Sequence, residues 1–210
     1  MDEIKAVVET AGQAGRFVTA HSHNPIASKN AILSGVKSID HAHGTNDEVV
    51  ALAIEHNVIF VSSLAAIKLV LDHIDDIPPW LEQRAKREWD VTIEGYRRMY
   101  KAGAILATGS DFNGSAMAPL GDNAVELELI TKYCGFSAMD AIISATRNGS
   151  LACFAEDKIG TLEPGKFADI LLIDGDPLAD IAILQDMEKI KMVMLEGKIE
   201  VDRGILISRT

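Results

Sequence analysis

Apolar residues recur at Ile4, Val7, Val8 and Ala11 between Asp2 and Ala14, which is the spacing of one helical face. Asp2 is placed to cap the start of this helix and Gly15 to end it. A short apolar run, Phe17 to Ala20, then leads into His21, and Asn24 with Pro25 breaks the strand before a helical stretch to Leu33, stopped by Ser34 and Gly35. The same order repeats at Val36 to His41, followed by a helix near Asp47 to His56, and again at Val58 to Ser62 and Ala104 to Thr108. Four strands alternating with helices predict an α/β unit whose sheet is parallel and whose crossovers are right-handed.

Between the third and fourth of these strands lies a polar and amphipathic insert, Leu69 to Gly103, with Pro78, Pro79 and Trp80 ahead of a helix expected over Leu81 to Lys101. Its first part is the natural place for a lid. Beyond the fourth strand, Asn123 to Lys132 reads as a helix. Ser137 and Asp140 resemble a capping box, with Asp where Glu is preferred, opening a helix to about Phe154. From Gly160 the pattern changes to β-like segments, Ala168 to Ile173, Ile190 to Leu195 and Lys198 to Val201, separated by Gly and Pro turns. A domain boundary is expected near 157 to 160.

At 210 residues and 48% hydrophobic content the chain is able to bury a core. Its formal net charge of -11 repels phosphate backbones and anionic lipid, so neither nucleic acid nor membrane is an expected partner. No apolar run approaches the roughly 20 residues needed to cross a bilayer, and the Met1-Asp2-Glu3 start lacks a basic leader. A cytoplasmic location is the expectation. Cys134 and Cys153 show no metal or disulfide spacing and are expected to be packed thiols.

His21 and His41 stand at the C-terminal ends of expected parallel strands, and Asp111, after Ala107 to Ser110, holds the same place beyond the last. In barrels of this architecture that rim gathers the catalytic groups. Two imidazoles and a carboxylate from three strands suit zinc or a similar divalent ion. His23 and His43 follow by two residues and would share a face with their partners if the strands continued, as substrate contacts or supporting groups, although Asn24, Pro25 and Gly44 suggest that the chain is turning. His73, in the expected lid, and Asn113, Ser62 and Ser63, in loops, are further candidates for substrate contact. His56 reads as a helix-end cation. The acidic run Asp72, Asp75 and Asp76 lacks the Gly and terminal Glu of a calcium loop and reads as solvated. Asp169 is expected to hydrogen-bond the turn that begins its strand.

Five segments together resemble the metal-dependent amidohydrolase superfamily, in its imidazolonepropionase-like and Xaa-Pro dipeptidase-like branch. They are Phe17 to His23, Val36 to His41, Ala107 to Asp111, Ala141 to Asn148, and Gly160 to Asp169 followed by Asp174 to Leu178 and Met194 to Lys198. The resemblance implies the C-terminal half of a (β/α)8 TIM barrel, strands 5 to 8, over residues 1–158, and part of a β-sandwich domain over 159–210. It implies that His21, His41 and Asp111 are metal ligands and that Asp111 is the general base in hydrolysis of a carbon-nitrogen bond. The first-strand His-x-His pair and the fourth-strand Lys of such proteins have no counterpart here.

Two functions follow from this reading. One is hydrolysis of an amide, dipeptide or cyclic amide by a metal-activated water. The other is an inactive truncated fragment that oligomerises or binds a partner. The expected partners are a small amide or peptide substrate, and a second copy or a complementary N-terminal half. A flavodoxin-like binding domain is disfavoured, because no Gly-rich phosphate turn follows any of the strands.

Overall fold

The structure, a computed structural model, describes residues 1–73, 77–115, 118–203 and 205–206. Helix α1 (Asp2–Gln13) precedes a parallel sheet in the order β1 (Thr19–Ser22), β2 (Ser38–His41), β3 (Ile59–Ser62) and β4 (Leu106–Thr108). Helices α2 (Pro25–Leu33) and α3 (Asp47–Glu55) make the first two crossovers, and α4 (Leu64–Asp72) with α5 (Pro79–Ala102) makes the third. Then come a 3-10 turn at Asp122–Ala124, α6 (Val125–Cys134), α7 (Ala138–Ala145) and α8 (Arg147–Ala152). A second, antiparallel sheet follows, in the order β5 (Ile170–Ile173), β6 (Ile190–Leu195), β7 (Lys198–Asp202) and β8 (Ile205–Leu206).

Local chemistry sets the crossovers. Asn24 caps α2 by accepting from Ala27 N at 2.9 Å with Pro25 next to it, and Asn46 caps α3 by accepting from Val49 N at 3.0 Å. Asp47 and Glu48 add negative charge at the first turn of α3. Helix α5 ends on Gly103 at φ 75°, where Gly103 N and Ala104 N donate to the carbonyls of Tyr100 and Met99. This left-handed close is one that glycine adopts without strain. The helices cover the sheet with Ile32, Val49, Leu64, Tyr96, Met99 and Ile130, which pack on Ile39, Phe60 and Leu106 from the strands, all almost fully buried.

Several expectations need correction. Helix α4 starts ahead of the expected insert and runs into it as far as Asp72, packed against α5 with Leu64, Ala65 and Ile67 buried. Asp75 and Asp76 of the acidic run lie outside the described residues, and Asp72 pairs with Lys68. Helix α5 begins at Pro79, whose missing N–H costs nothing in the first turn. The helix expected from Ser137 to Phe154 breaks at Thr146 (φ −112°, ψ −85°) into α7 and α8. Ser137 does accept from Asp140 N at 3.1 Å, but the Asp140 carboxylate accepts from the hydroxyls of Ser137 and Tyr100, each at 2.6 Å. Cys134 is buried, and burial pushes its thiol up to about 12, whereas Cys153 is exposed and not packed. Asp169 accepts from Glu196 N at 2.7 Å, tying down the β6–β7 hairpin rather than the turn before its own strand.

Gly160 stands where the pattern changes. Its φ is +93°, and an added Cβ would lie 2.5 Å from Ser150 Cβ and 3.1 Å from Thr146 O. Only glycine lets the chain leave this close to α8. No described helix is long and apolar enough to cross a membrane.

Candidate metal centre

The C-terminal ends of β1 and β2 lie side by side, with Ser22 opposite His41 and His21 opposite Asp40. That register brings four imidazoles together. The ring centroids of His21 and His41 are 4.4 Å apart, those of His21 and His23 also 4.4 Å, and those of His23 and His43 4.3 Å. His23 and His43 therefore stay with their partners although the chain turns.

The turn after β2 has an unusual backbone. His41 and Ala42 adopt φ of 66° and 50°, in the left-handed region that residues with a Cβ avoid, at a cost of order 1–3 kcal/mol each. Such a conformation persists only where its surroundings hold it. The Tyr96 hydroxyl donates to His41 O at 2.7 Å and accepts from Ser63 N at 3.0 Å. Thr45 donates to Ala42 O at 2.6 Å, and Arg98 donates to Thr45 O at 2.7 Å. His41 Nδ1 meets Ser63 Oγ at 2.7 Å, which fixes the ring. Ser63 is in turn anchored through the start of α4, where the Glu126 carboxylate accepts from Leu64 N at 3.0 Å and Ala65 N at 2.7 Å. Glu126 is 1% exposed, and burial raises its pKa to about 7 despite those two bonds.

Asp111 follows β4 and also has a left-handed φ, 58°. Gly109, two residues earlier, has little room for a side chain, since a Cβ would lie 2.9 Å from Val61 Cγ1 and 3.2 Å from Ser62 O.

His21, His23, His41, His43, Ser63 and Asp111 line one open cavity of about 250 Å3 together with Arg84, Ala85 and Glu88 of α5. One ligand atom each from His21, His23 and His41 lies within 4.8 Å of the others, and so does one each from His23, His43 and Glu88. Asp111 shares the cavity wall and acts on His41 electrostatically, but belongs to neither triplet. The sequence had pointed to His21, His41 and Asp111 as ligands. His23 stands closer to the first two than the strand spacing alone indicated.

The electrostatics favour neutral rings. Burial, then the neighbouring imidazoles, lowers the pKa of His43 to about 3 and lowers those of His41 and His23 as well. Asp111 and Glu88 oppose the shift at His41, and Glu88 opposes it at His23. Neutral imidazole is the form that binds a metal. The ring nitrogens of His23 and His43 are buried with no hydrogen-bond partner. Each neutral ring offers one lone-pair nitrogen, and such unpartnered nitrogens beside a carboxylate fit a divalent cation.

The remaining candidates fall elsewhere. His73 ends α4 with Nδ1 on Leu69 O at 2.9 Å, and Asn113 accepts from Ser115 N at 3.0 Å, neither of them lining the cavity. His56 ends α3, and Ser62 is buried within the sheet. Sequence reasoning missed Glu88, Arg84, Tyr96 and Glu126. Arg84 and Glu88 form an i,i+4 pair at 2.8 Å that reads as a solvated helix face. Glu126 had one signal, a carboxylate among the apolar positions Val125, Leu127, Leu129 and Ile130.

Residues 1–199 match the amidohydrolase family, and the chain belongs to it. It is 29% identical to ochratoxinase of Aspergillus niger over 97% of this chain and 42% of that protein. To imidazolonepropionase of Symbiobacterium thermophilum it is 26% identical over 91% of this chain and 46% of that protein. A crystal structure of a Xaa-Pro dipeptidase with bound methionine superposes with a TM-score of 0.83 at 31% identity, covering 94% of this chain and 48% of that one. The structure of A. niger ochratoxinase superposes with a TM-score of 0.87 at 29% identity, covering 97% and 46%. The chain thus spans a little under half the length of these relatives.

Proposed function

We propose that the protein hydrolyses a carbon-nitrogen bond in an amide, dipeptide or cyclic amide, with His21, His41 and Asp111 as ligands of a divalent ion, zinc before others. The observation that carries this reading is the cluster of four imidazoles, with Asp111 on the same cavity wall, at the C-terminal ends of parallel strands. When bound, the ion supplies Lewis acidity that makes water a competent nucleophile near neutral pH. Asp111, on the cavity wall, accepts the proton of the attacking water and delivers it to the leaving amine. Ser63 orients the His41 ring from Nδ1, and Tyr96 holds the backbone that presents it.

In this reading residues 1–158 are half of a (β/α)8 barrel, residues 159–210 belong to a β-sandwich, and the rest of the barrel comes from further polypeptide. Supporting this, relatives extend over about twice the matched length, and β1 and β4 form the two edges of the described parallel sheet. The same edges favour a second reading, a catalytically idle chain that pairs through them with a second copy or another partner.

The test is hydrolysis of a panel of dipeptides, N-acyl amino acids and cyclic amides by the zinc-loaded protein with its complementary half. Asp111→Asn is expected to lower kcat/KM by roughly 10²–10⁴-fold, the usual worth of a general base. Absence of turnover across the panel, with zinc bound and the complement present, selects the idle chain instead.

A further inference from the structure

We propose that His23, His43 and Glu88 form a second divalent-cation site, distinct from the His21, His41 and Asp111 set, which fastens the N-terminal half of α5 across the mouth of the cavity. Their ligand atoms lie within 4.8 Å of one another. Zinc takes nitrogen at about 2.0–2.1 Å and carboxylate oxygen at about 2.0–2.2 Å in a tetrahedral shell, so binding an ion draws these three side chains closer together.

The independent sign of a ligand is at His43. It is 4% exposed, its ring is in edge contact with that of His23, and neither of its nitrogens has a hydrogen-bond partner. Both nitrogens of His23 are likewise buried and unpartnered. A buried polar group left without a partner calls for a cause such as a catalytic role, an ordered water or an ion. Glu88 is held ready, since Oε1 accepts from Arg84 Nε at 2.8 Å and stands 4.0 Å from His23 Nδ1. Carboxylates that bind metals are commonly oriented by such outer partners.

The donor set, two imidazole nitrogens and one carboxylate oxygen, selects a borderline ion such as Zn2+ over Mg2+ or Ca2+, which prefer all-oxygen shells. His23 and His43 come from the rigid ends of β1 and β2, while Glu88 comes from a helix of the long connection between β3 and β4. An ion shared by the three therefore joins that connection to the sheet. Substrate hydrogen bonding by His23 and His43 is the competing use, and it needs no ion.

The decisive measurement is zinc stoichiometry by equilibrium dialysis and elemental analysis, without substrate. Two ions per chain are expected, falling to one in His43→Ala and in Glu88→Gln, with a different one lost in Asp111→Asn. Glu88→Gln sits on a partly exposed helix face and guards against a misfolded His43 variant, which circular dichroism identifies. A wild-type chain that binds a single ion, lost in Glu88→Gln but kept in Asp111→Asn, upholds the second site and removes the first. If neither His43→Ala nor Glu88→Gln changes the zinc bound, or if no zinc binds, the second site is refuted. Hydrogen exchange gives a separate readout. Zinc is expected to slow exchange over residues 79–92 at least tenfold in the wild type and in Asp111→Asn, and not in Glu88→Gln.

Discussion

The mouth of the parallel sheet and the antiparallel sheet of β5 to β8 obey opposite rules. At the mouth, polar groups are buried, imidazole nitrogens lack partners, and His41, Ala42 and Asp111 keep left-handed backbone. In β5 to β7 of the antiparallel sheet every residue is at least partly exposed, Leu171 and Leu172 by about half, and the turn at Glu196 and Gly197 is a tight hairpin between two strands. The first region spends stability to hold chemistry in place and the second does not. Buried networks under the mouth are therefore where single substitutions cost most.

Glu126 sharpens this contrast most. Glu126→Ala leaves Leu64 N and Ala65 N unpaired and opens a cavity, and is expected to cost about 3 kcal/mol in urea unfolding. The pH dependence has a definite sign. The folded-state pKa, about 7, lies above the ordinary glutamate value of 4.5, so the folded protein holds this proton where the unfolded chain has lost it. The contribution is fully present below pH 4.5 and is lost as the pH rises through about 7, by roughly 3 kcal/mol in all. Glu126→Gln is expected to flatten that slope. A slope that survives in Glu126→Gln assigns the titration to another group.

Tyr96→Phe comes next. It removes the hydroxyl that joins His41 O to Ser63 N, and is expected to destabilise by about 1–3 kcal/mol and weaken zinc binding roughly 10-fold. Unchanged zinc affinity would mean that the backbone at His41 needs no such support. The smallest effect belongs to the other region. Asp169→Ala loses one exposed bond to Glu196 N and is expected to cost about 1 kcal/mol while leaving zinc binding untouched. If it matched Tyr96→Phe in both measurements, the contrast between the two regions would disappear.

Much of the frame was readable before any coordinates, because each part rests on local signals. Asn24 with Pro25, and the Gly15 and Gly35 stops, bounded the first two helices, and short apolar runs marked the strands. Helix α4 was missed because its apolar residues run on from β3 with only Ser63 between them, so no breaker marks its start. The strand-end positions pointed to His21, His41 and Asp111. The four-imidazole cluster stayed hidden, since it depends on how β1 and β2 turn after their last paired residues, and nothing in the sequence gives His41 or Ala42 a left-handed φ. Glu88 and Tyr96 lie 45 or more positions beyond His43 and His41, too far along the chain for spacing to connect them.

Ala42 is 0% exposed and sits at φ 50°. A larger side chain there meets both a full interior and an unfavourable torsion, while glycine relieves the torsion and leaves the interior nearly filled. The pivot between His41 and His43 thus admits almost no chemical variety, whereas the cavity residues that α4 and α5 contribute are under no such double constraint.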